Sequence, residues 1–225
     1  MIPEFPVYLF DVDGTLVDSA ADICGAIQEV LKSTPRNDVD DAFLRRYIGY
    51  HLKDLFVDLF PGITEEGIDK LVVEYRCVYP ARKHSSTKIY PGVLDMLQGL
   101  GGKKGTATTK NTPTVRHVLE TFELVPYFDL VQGTDGFPAK PEPDILFRCL
   151  DHFGVDAKDC LFIGDSAADM EAGRRAGVKV CGVRYGYGNL EHMARWEPDY
   201  WIDHPHELLN RRPADMPESA ASPRI

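Results

Sequence analysis

Two periods of apolar and polar residues run along this chain, and the switches between them divide it. Val7-Tyr8-Leu9-Phe10 is an unbroken apolar run, the mark of a short strand buried on both faces. It stops at Asp11-Val12-Asp13-Gly14-Thr15, two carboxylates one residue apart followed by a turn signal. From Ser19 to Lys32 the period becomes helical, with Ala20, Ile23, Ile27, Val30 and Leu31 on one side and Ser19 as the expected cap. Ser33-Thr34-Pro35 ends that helix. Further helices are expected over 40–48, broken by Gly49; over 51–60, stopped by Pro61-Gly62; and from a Thr64 cap to Pro80. Residues 17–87 therefore read as a helical insert without a convincing strand.

Beyond Ile89 the two periods alternate. A short helix through Val93, Leu94, Met96 and Leu97 precedes a strand over 104–109, a helix over 111–122 and a strand over 128–132. A helix over 141–153, with Pro141 in its first turn, leads to a strand over 159–163. A helix over 167–176, ended by Gly177, then a strand over 178–182 and a last one over 200–202 complete the pattern. Strands alternating with helices predict an α/β fold, a Rossmann-like parallel sheet with helices on both faces. The expected units are a core of residues 1–16 and 88–210, an inserted helical cap of residues 17–87, and a disordered tail over 211–225.

Composition narrows the function. The net charge of −10 argues against nucleic acid as a partner, so any anionic ligand must be met by a local cation. Five scattered cysteines without CxxC spacing indicate neither a zinc site nor a disulfide framework. No apolar run reaches the length of a membrane span, and acids appear early where a secretory leader would be apolar. A cytoplasmic protein with no membrane partner is expected, as a monomer or a homodimer.

Four stretches fall at predicted strand C-termini, the edge where open α/β sheets bind ligands. They are Asp11 with Asp13; Thr108-Thr109-Lys110-Asn111; Gly133 through Lys140 to Asp144; and Gly164-Asp165-Ser166-Ala167-Ala168-Asp169. Hard oxygen ligands such as Asp11 and Asp165, with a backbone carbonyl, suit Mg²⁺. An aspartate can attack phosphorus, and a second acid two residues on can move the proton. Lys140 and Thr109 offer charge and hydrogen bonds to phosphoryl oxygens. Each has a plainer reading: Lys140 as a solvated lysine, Thr109 as an end-of-strand hydroxyl, Asp169 as a first-turn acid on its helix dipole. Together the four stretches weigh against these.

These motifs resemble the haloacid dehalogenase superfamily, in its phosphoglycolate phosphatase-like branch. Asp11-Val12-Asp13-Gly14-Thr15-Leu16-Val17-Asp18-Ser19 is similar to its first motif, and Thr106-Ala107-Thr108-Thr109-Lys110-Asn111 to its second. Lys140, with Pro141 and Pro143, is similar to the third, and Gly164-Asp165-Ser166-Ala167-Ala168-Asp169 to the fourth. The resemblance implies Asp11 as nucleophile and Asp13 as general acid/base, with Thr109 and Lys140 holding the phosphoryl group. It implies Mg²⁺ bound by Asp11, Asp165 and the backbone carbonyl of Asp13, with Asp169 either near the metal or orienting Lys140. Lys110 or Asn111 would add a backbone donor, and cap residues Arg45, Arg46, Ile48, Gly49 and His51 would read the substrate. Thr108 competes with Thr109 for the hydroxyl's role, and the residues that follow favour Thr109. The implied function is Mg²⁺-dependent hydrolysis of a small phosphorylated metabolite, with phosphoglycolate as the narrower expectation. A phosphosugar mutase using the same aspartyl phosphate is the alternative, and a regulatory protein retaining the fold is the non-enzyme one. The presence of Asp13 disfavours a dehalogenase.

Overall fold

The computed structural model describes residues 1–209. Strand β1 (Val7–Phe10) is buried at every residue because it sits inside a parallel sheet with both faces covered. The sheet also contains β4 (Lys103–Thr106), β5 (Cys160–Gly164), β6 (Lys179–Val183) and β7 (Tyr200–Ile202), in the order β4-β1-β5-β6-β7. Tyr8 and Phe10 pack on one face with α5 (Val93–Gly99) and α6 (Thr112–Thr121). Val7 and Leu9 pack on the other, with α7 (Asp144–Phe153), α8 (Ala167–Ala176) and Met193 of α9 (Leu190–Ala194). The parallel α/β architecture expected from the alternating periods is the one observed.

The helices α1 (Ala20–Leu31), α2 (Asp41–Arg45), α3 (Leu52–Leu59) and α4 (Glu65–Ala81) bury their apolar sides in a third cluster of their own. Two short strands, β2 (Val17–Asp18) and β3 (Lys88–Ile89), pair antiparallel where the chain leaves the sheet and where it returns. Two residues each is too short for a period to register in the sequence. The residues assigned to a disordered tail, 211–225, lie outside the described residues. No helix among the described residues is long and apolar enough to cross a membrane.

Several local expectations need correction. The segment 128–132 runs parallel to β4 but forms only isolated bridges, at Gly105–Leu130 and Thr108–Gly133. Backbone bonds link Asp129 and Leu130 to Lys104 and Thr106, and side chains take the places on either side: Asp129 accepts from Lys103 Nζ and the Lys104 amide, and Thr106 Oγ1 bonds the carbonyl and amide of Gln132. Helix α7 starts at Asp144 rather than 141, because Pro143 disfavours helical backbone at the residue before it. The helix expected over 40–48 is regular only to Arg45 and continues as turns to Gly49, whose φ of 94° suits glycine. Ser19 stands at the N-cap of α1, yet its side chain makes no cap bond there.

The loop after β6 packs closely on the end of β5. A Cβ at Gly188 would lie 1.8 Å from the carbonyl oxygen of Asp165, and the strand end cannot yield as a flexible side chain would. Gly188→Ala is expected to destabilise the fold by about 1–3 kcal/mol, the usual cost of overpacking. A lowered urea midpoint with an unchanged slope would show it; an unchanged midpoint would contradict the close approach.

Candidate active site

Adjacent strands set out the acids. Phe10 of β1 pairs with Ile163 of β5, and the Asp11 amide extends the ladder to the Ile163 carbonyl at 2.9 Å. Asp11 and Asp165 thus leave neighbouring strands at the sheet's C-terminal edge, and both are buried. On the other side of β1, the Ala107 amide reaches the Phe10 carbonyl at 2.8 Å, bringing the stretch after β4 alongside.

Lys140 joins these elements. Its ammonium donates to Asp11 Oδ1 at 2.9 Å, to the Ala107 carbonyl at 2.9 Å and to Asp169 Oδ1 at 2.5 Å, which uses all three protons. The Lys140 side chain is 0 % exposed, so it is not a solvated surface lysine. Asp169 Oδ2 accepts from the amide of Ser166 at 2.9 Å and its hydroxyl at 2.6 Å, in the capping box that opens α8. Both Asp169 oxygens are therefore engaged, and the contact it makes is with Lys140. Asp165 accepts from the Thr15 hydroxyl at 3.1 Å and from the Tyr187 amide at 2.8 Å.

Asp11, Asp165 and Asp169 each bring a carboxylate oxygen within 4.8 Å of the others. Burial, opposed by Lys140 and reinforced by Asp169 and Asp13, holds the Asp11 carboxyl up at about 6. Burial also raises Asp165 well above the ordinary range, with Asp169 and Asp11 adding to it. For Lys140, burial alone would lower the pKa, but Asp11 and Asp169 outweigh it and raise it. One ammonium among three buried carboxylates leaves negative charge uncompensated. Hard oxygen donors with that surplus fit a divalent cation of the Mg²⁺ type.

The Asp13 carboxylate lies outside that cluster. It accepts from the Ser19 hydroxyl and pairs with Lys110 Nζ at 2.9 Å. Lys110, expected to act through its backbone, instead contributes its side chain, which also sits 4.4 Å from the centre of the Tyr79 ring. Burial alone would lower the Lys110 pKa; Asp13 and Tyr75 reverse that and raise it. Thr108 is buried, with its carbonyl accepting from the Thr134 hydroxyl at 3.0 Å. Thr109 is half-buried and lines a cavity beside Asp13, as do Lys110 and Asn111.

That cavity, of about 110 Å³, is closed on the far side by the helical insert, including Ile23, Leu44, His51, Val72 and Arg76. His51 thus joins Asp13, whereas Arg45 and Arg46 do not. Arg45 pairs with Asp41 at 3.6 Å, Arg46 lies 4.6 Å over the Phe43 ring, and both face a separate cavity bordered by Ser166 and His192. Sequence reasoning missed Thr15, Tyr75, Arg76 and Tyr187. Tyr187 was within reach, since Tyr185-Gly186-Tyr187-Gly188 follows a predicted strand end. Its hydroxyl accepts from the Ser19 and Ala20 amides at 2.6 and 3.0 Å and donates to Asp18 at 2.8 Å.

The family model for haloacid dehalogenase-like hydrolases matches residues 8–183. The chain belongs to this family. Like this hydrolase, a phosphoglycolate phosphatase of Pseudomonas fluorescens spans nearly the same sequence: it is 32% identical over 96% of this chain and 84% of its own. A pyrophosphatase of Anoxybacillus flavithermus, PpaX, is 31% identical over 90% of this chain and 94% of its own. Among solved structures, a predicted phosphatase from Clostridium acetobutylicum superposes on the hydrolase with a TM-score of 0.85 at 27% identity, covering 92% of this chain and 98% of the other.

The surplus of buried carboxylate predicts a stability signature. Millimolar Mg²⁺ is expected to raise the melting temperature by roughly 5–10 °C when present at about 100 times its dissociation constant. Asp165→Asn should melt higher than the parent without metal, because it removes a buried like charge, and should lose the Mg²⁺ shift. Thermal melts of both proteins with EDTA and with Mg²⁺ check this.

Proposed function

We propose that this hydrolase is a Mg²⁺-dependent phosphatase that cleaves a small phosphomonoester through an aspartyl phosphate on Asp11, with phosphoglycolate as the narrower substrate. The observation that carries this reading is the placement of Asp11, a buried carboxylate held on one oxygen by Lys140 and beside Asp165, with Asp13 two residues on at the cavity floor. Relatives named for hydrolysis of phosphoglycolate and of pyrophosphate support the reaction class.

In this mechanism the Asp11 oxygen not bonded to Lys140 attacks phosphorus, and the bond from phosphorus to the leaving oxygen breaks. Asp13 gives a proton to that oxygen. Asp13 then takes a proton from water, whose oxygen attacks phosphorus and breaks its bond to Asp11, releasing phosphate. Lys140 offsets the charge that the nucleophile and the phosphoryl group bring together, and Thr109 or Thr108 adds a hydrogen bond. Mg²⁺, held by Asp11, Asp165 and the backbone carbonyl of Asp13, would supply further positive charge to the phosphoryl oxygens. The helical insert acts as the cap that excludes water while the intermediate stands. Apolar walls and a volume of about 110 Å³ favour a short leaving group over a sugar.

Hydrolysis of an aryl phosphate with and without Mg²⁺ tests the reading. Activity is expected only with the metal, with Asp11→Asn abolishing turnover while remaining folded. Asp13→Asn should reduce kcat by roughly 10²–10⁴-fold, the usual worth of a positioned acid/base. Full activity in Asp11→Asn, or none in the parent protein with Mg²⁺, would sink the assignment.

A further inference from the structure

The cavity between insert and core has apolar walls, and the polar groups set among them are nearly all able to donate hydrogen bonds. Its one carboxylate among the described lining residues is Asp13, which Lys110 already pairs. Asn111 spends its Oδ1 on the Thr114 amide at 3.0 Å, which leaves its NH₂ group as the end to donate. His51 behaves likewise. Its Nδ1 accepts from the Lys53 amide at 3.1 Å, and burial lowers its pKa, so the neutral ring carries its proton on Nε2.

Arg76 adds the charge. The other arginines of the insert are committed: Arg36 to the Leu59 carbonyl, Arg45 to Asp41, Arg46 to the Phe43 ring and Arg82 to Asp22. Among the described residues, Arg76 has no ion-pair partner, yet it lines the cavity and lies near enough to His51 to act on its charge. Guanidinium is built to bind a carboxylate through two parallel hydrogen bonds. Arg76 is exposed on α4 and reaches the cavity beside apolar residues such as Ile23, Leu44, Ile48 and Val72.

We propose that Arg76 and the Nε2–H of His51 form a subsite for a carboxylate on the leaving group, making the substrate a short phosphorylated carboxylic acid. The inference rests on the phosphatase reading and assigns its specificity to α4 and the start of α3. The cavity is small, about 110 Å³, which suits a short acid.

The test compares kcat/KM for phosphoglycolate with kcat/KM for ethyl phosphate, which is similar in size but lacks the carboxylate, in the Mg²⁺-loaded enzyme. The parent protein should prefer phosphoglycolate. Arg76→Gln should lower the ratio about 10- to 100-fold, the worth of a hydrogen bond to a charged group, through KM more than kcat. Arg76→Lys should keep part of the preference, and Arg45→Gln should leave the ratio where it is. A ratio unmoved by Arg76→Gln overturns the subsite. So does a loss that falls on pyrophosphate and spares phosphoglycolate. Hydrolysis of ethyl phosphate without a preference for the carboxylate overturns this inference alone. Failure to cleave either ester removes the phosphatase reading and the subsite with it.

Discussion

The structure depends on one buried ammonium. Lys140 ties the end of β1 through Asp11, the strand extension at Ala107, and α8 through Asp169. Desolvating an ammonium and two carboxylates costs several kcal/mol per ion, and excellent geometry is needed to offset it. Here every ammonium proton has an acceptor, and Asp169 has a second set of donors in the helix cap. The chain cannot fold this region without also placing Asp11, since a buried charge left without its partner would be strongly destabilising. The arrangement of the acids is therefore a folding constraint before it is a chemical one.

A second coupling runs from the acids to the insert by an exchange of hydrogen bonds. Ser19, at the N-cap of α1, gives its hydroxyl to Asp13 instead of to its own helix. Two amides at that helix start, those of Ser19 and Ala20, are taken by the hydroxyl of Tyr187, whose own amide holds Asp165. One loop thus bonds both the acid of the fourth motif and the first helix of the insert. Close glycine contacts keep it there: a Cβ at Gly186 would lie 2.3 Å from the Asp165 Cβ.

The parts of this arrangement that were legible in the sequence are those written in consecutive residues. The apolar run before Asp11, the acidic turn at Asp165 and the helix cap at Thr64 are local signals, and the α/β architecture follows from the alternation of strands and helices. What stayed hidden involves a choice between partners far apart in the chain. Ser19 carries the right side chain for a cap, and only the fold brings Asp13 to compete for it. The segment 128–132 has a strand's composition, but Asp129 and Thr106 replace part of its ladder with side-chain bonds. Arg45, Arg46 and Arg76 are alike as residues; which of them meets the cavity by Asp13 depends on how the helices of the insert pack.

This difference reflects how the labour is divided. The acids proposed for the chemistry sit on strand ends, where register with neighbouring strands and the Lys140 pairings leave the side chains little freedom. The subsite proposed for selection sits on helices that pack in a cluster of their own and meet the core across a cavity. Side chains at that boundary, such as His51 and Arg76, can change without disturbing the Lys140 pairings, because neither bonds any residue of that network. The two relatives, one named for phosphoglycolate and one for pyrophosphate, are almost equally similar to this chain. Overall identity therefore carries little information about the leaving group, and the donors that the insert turns toward Asp13 carry more.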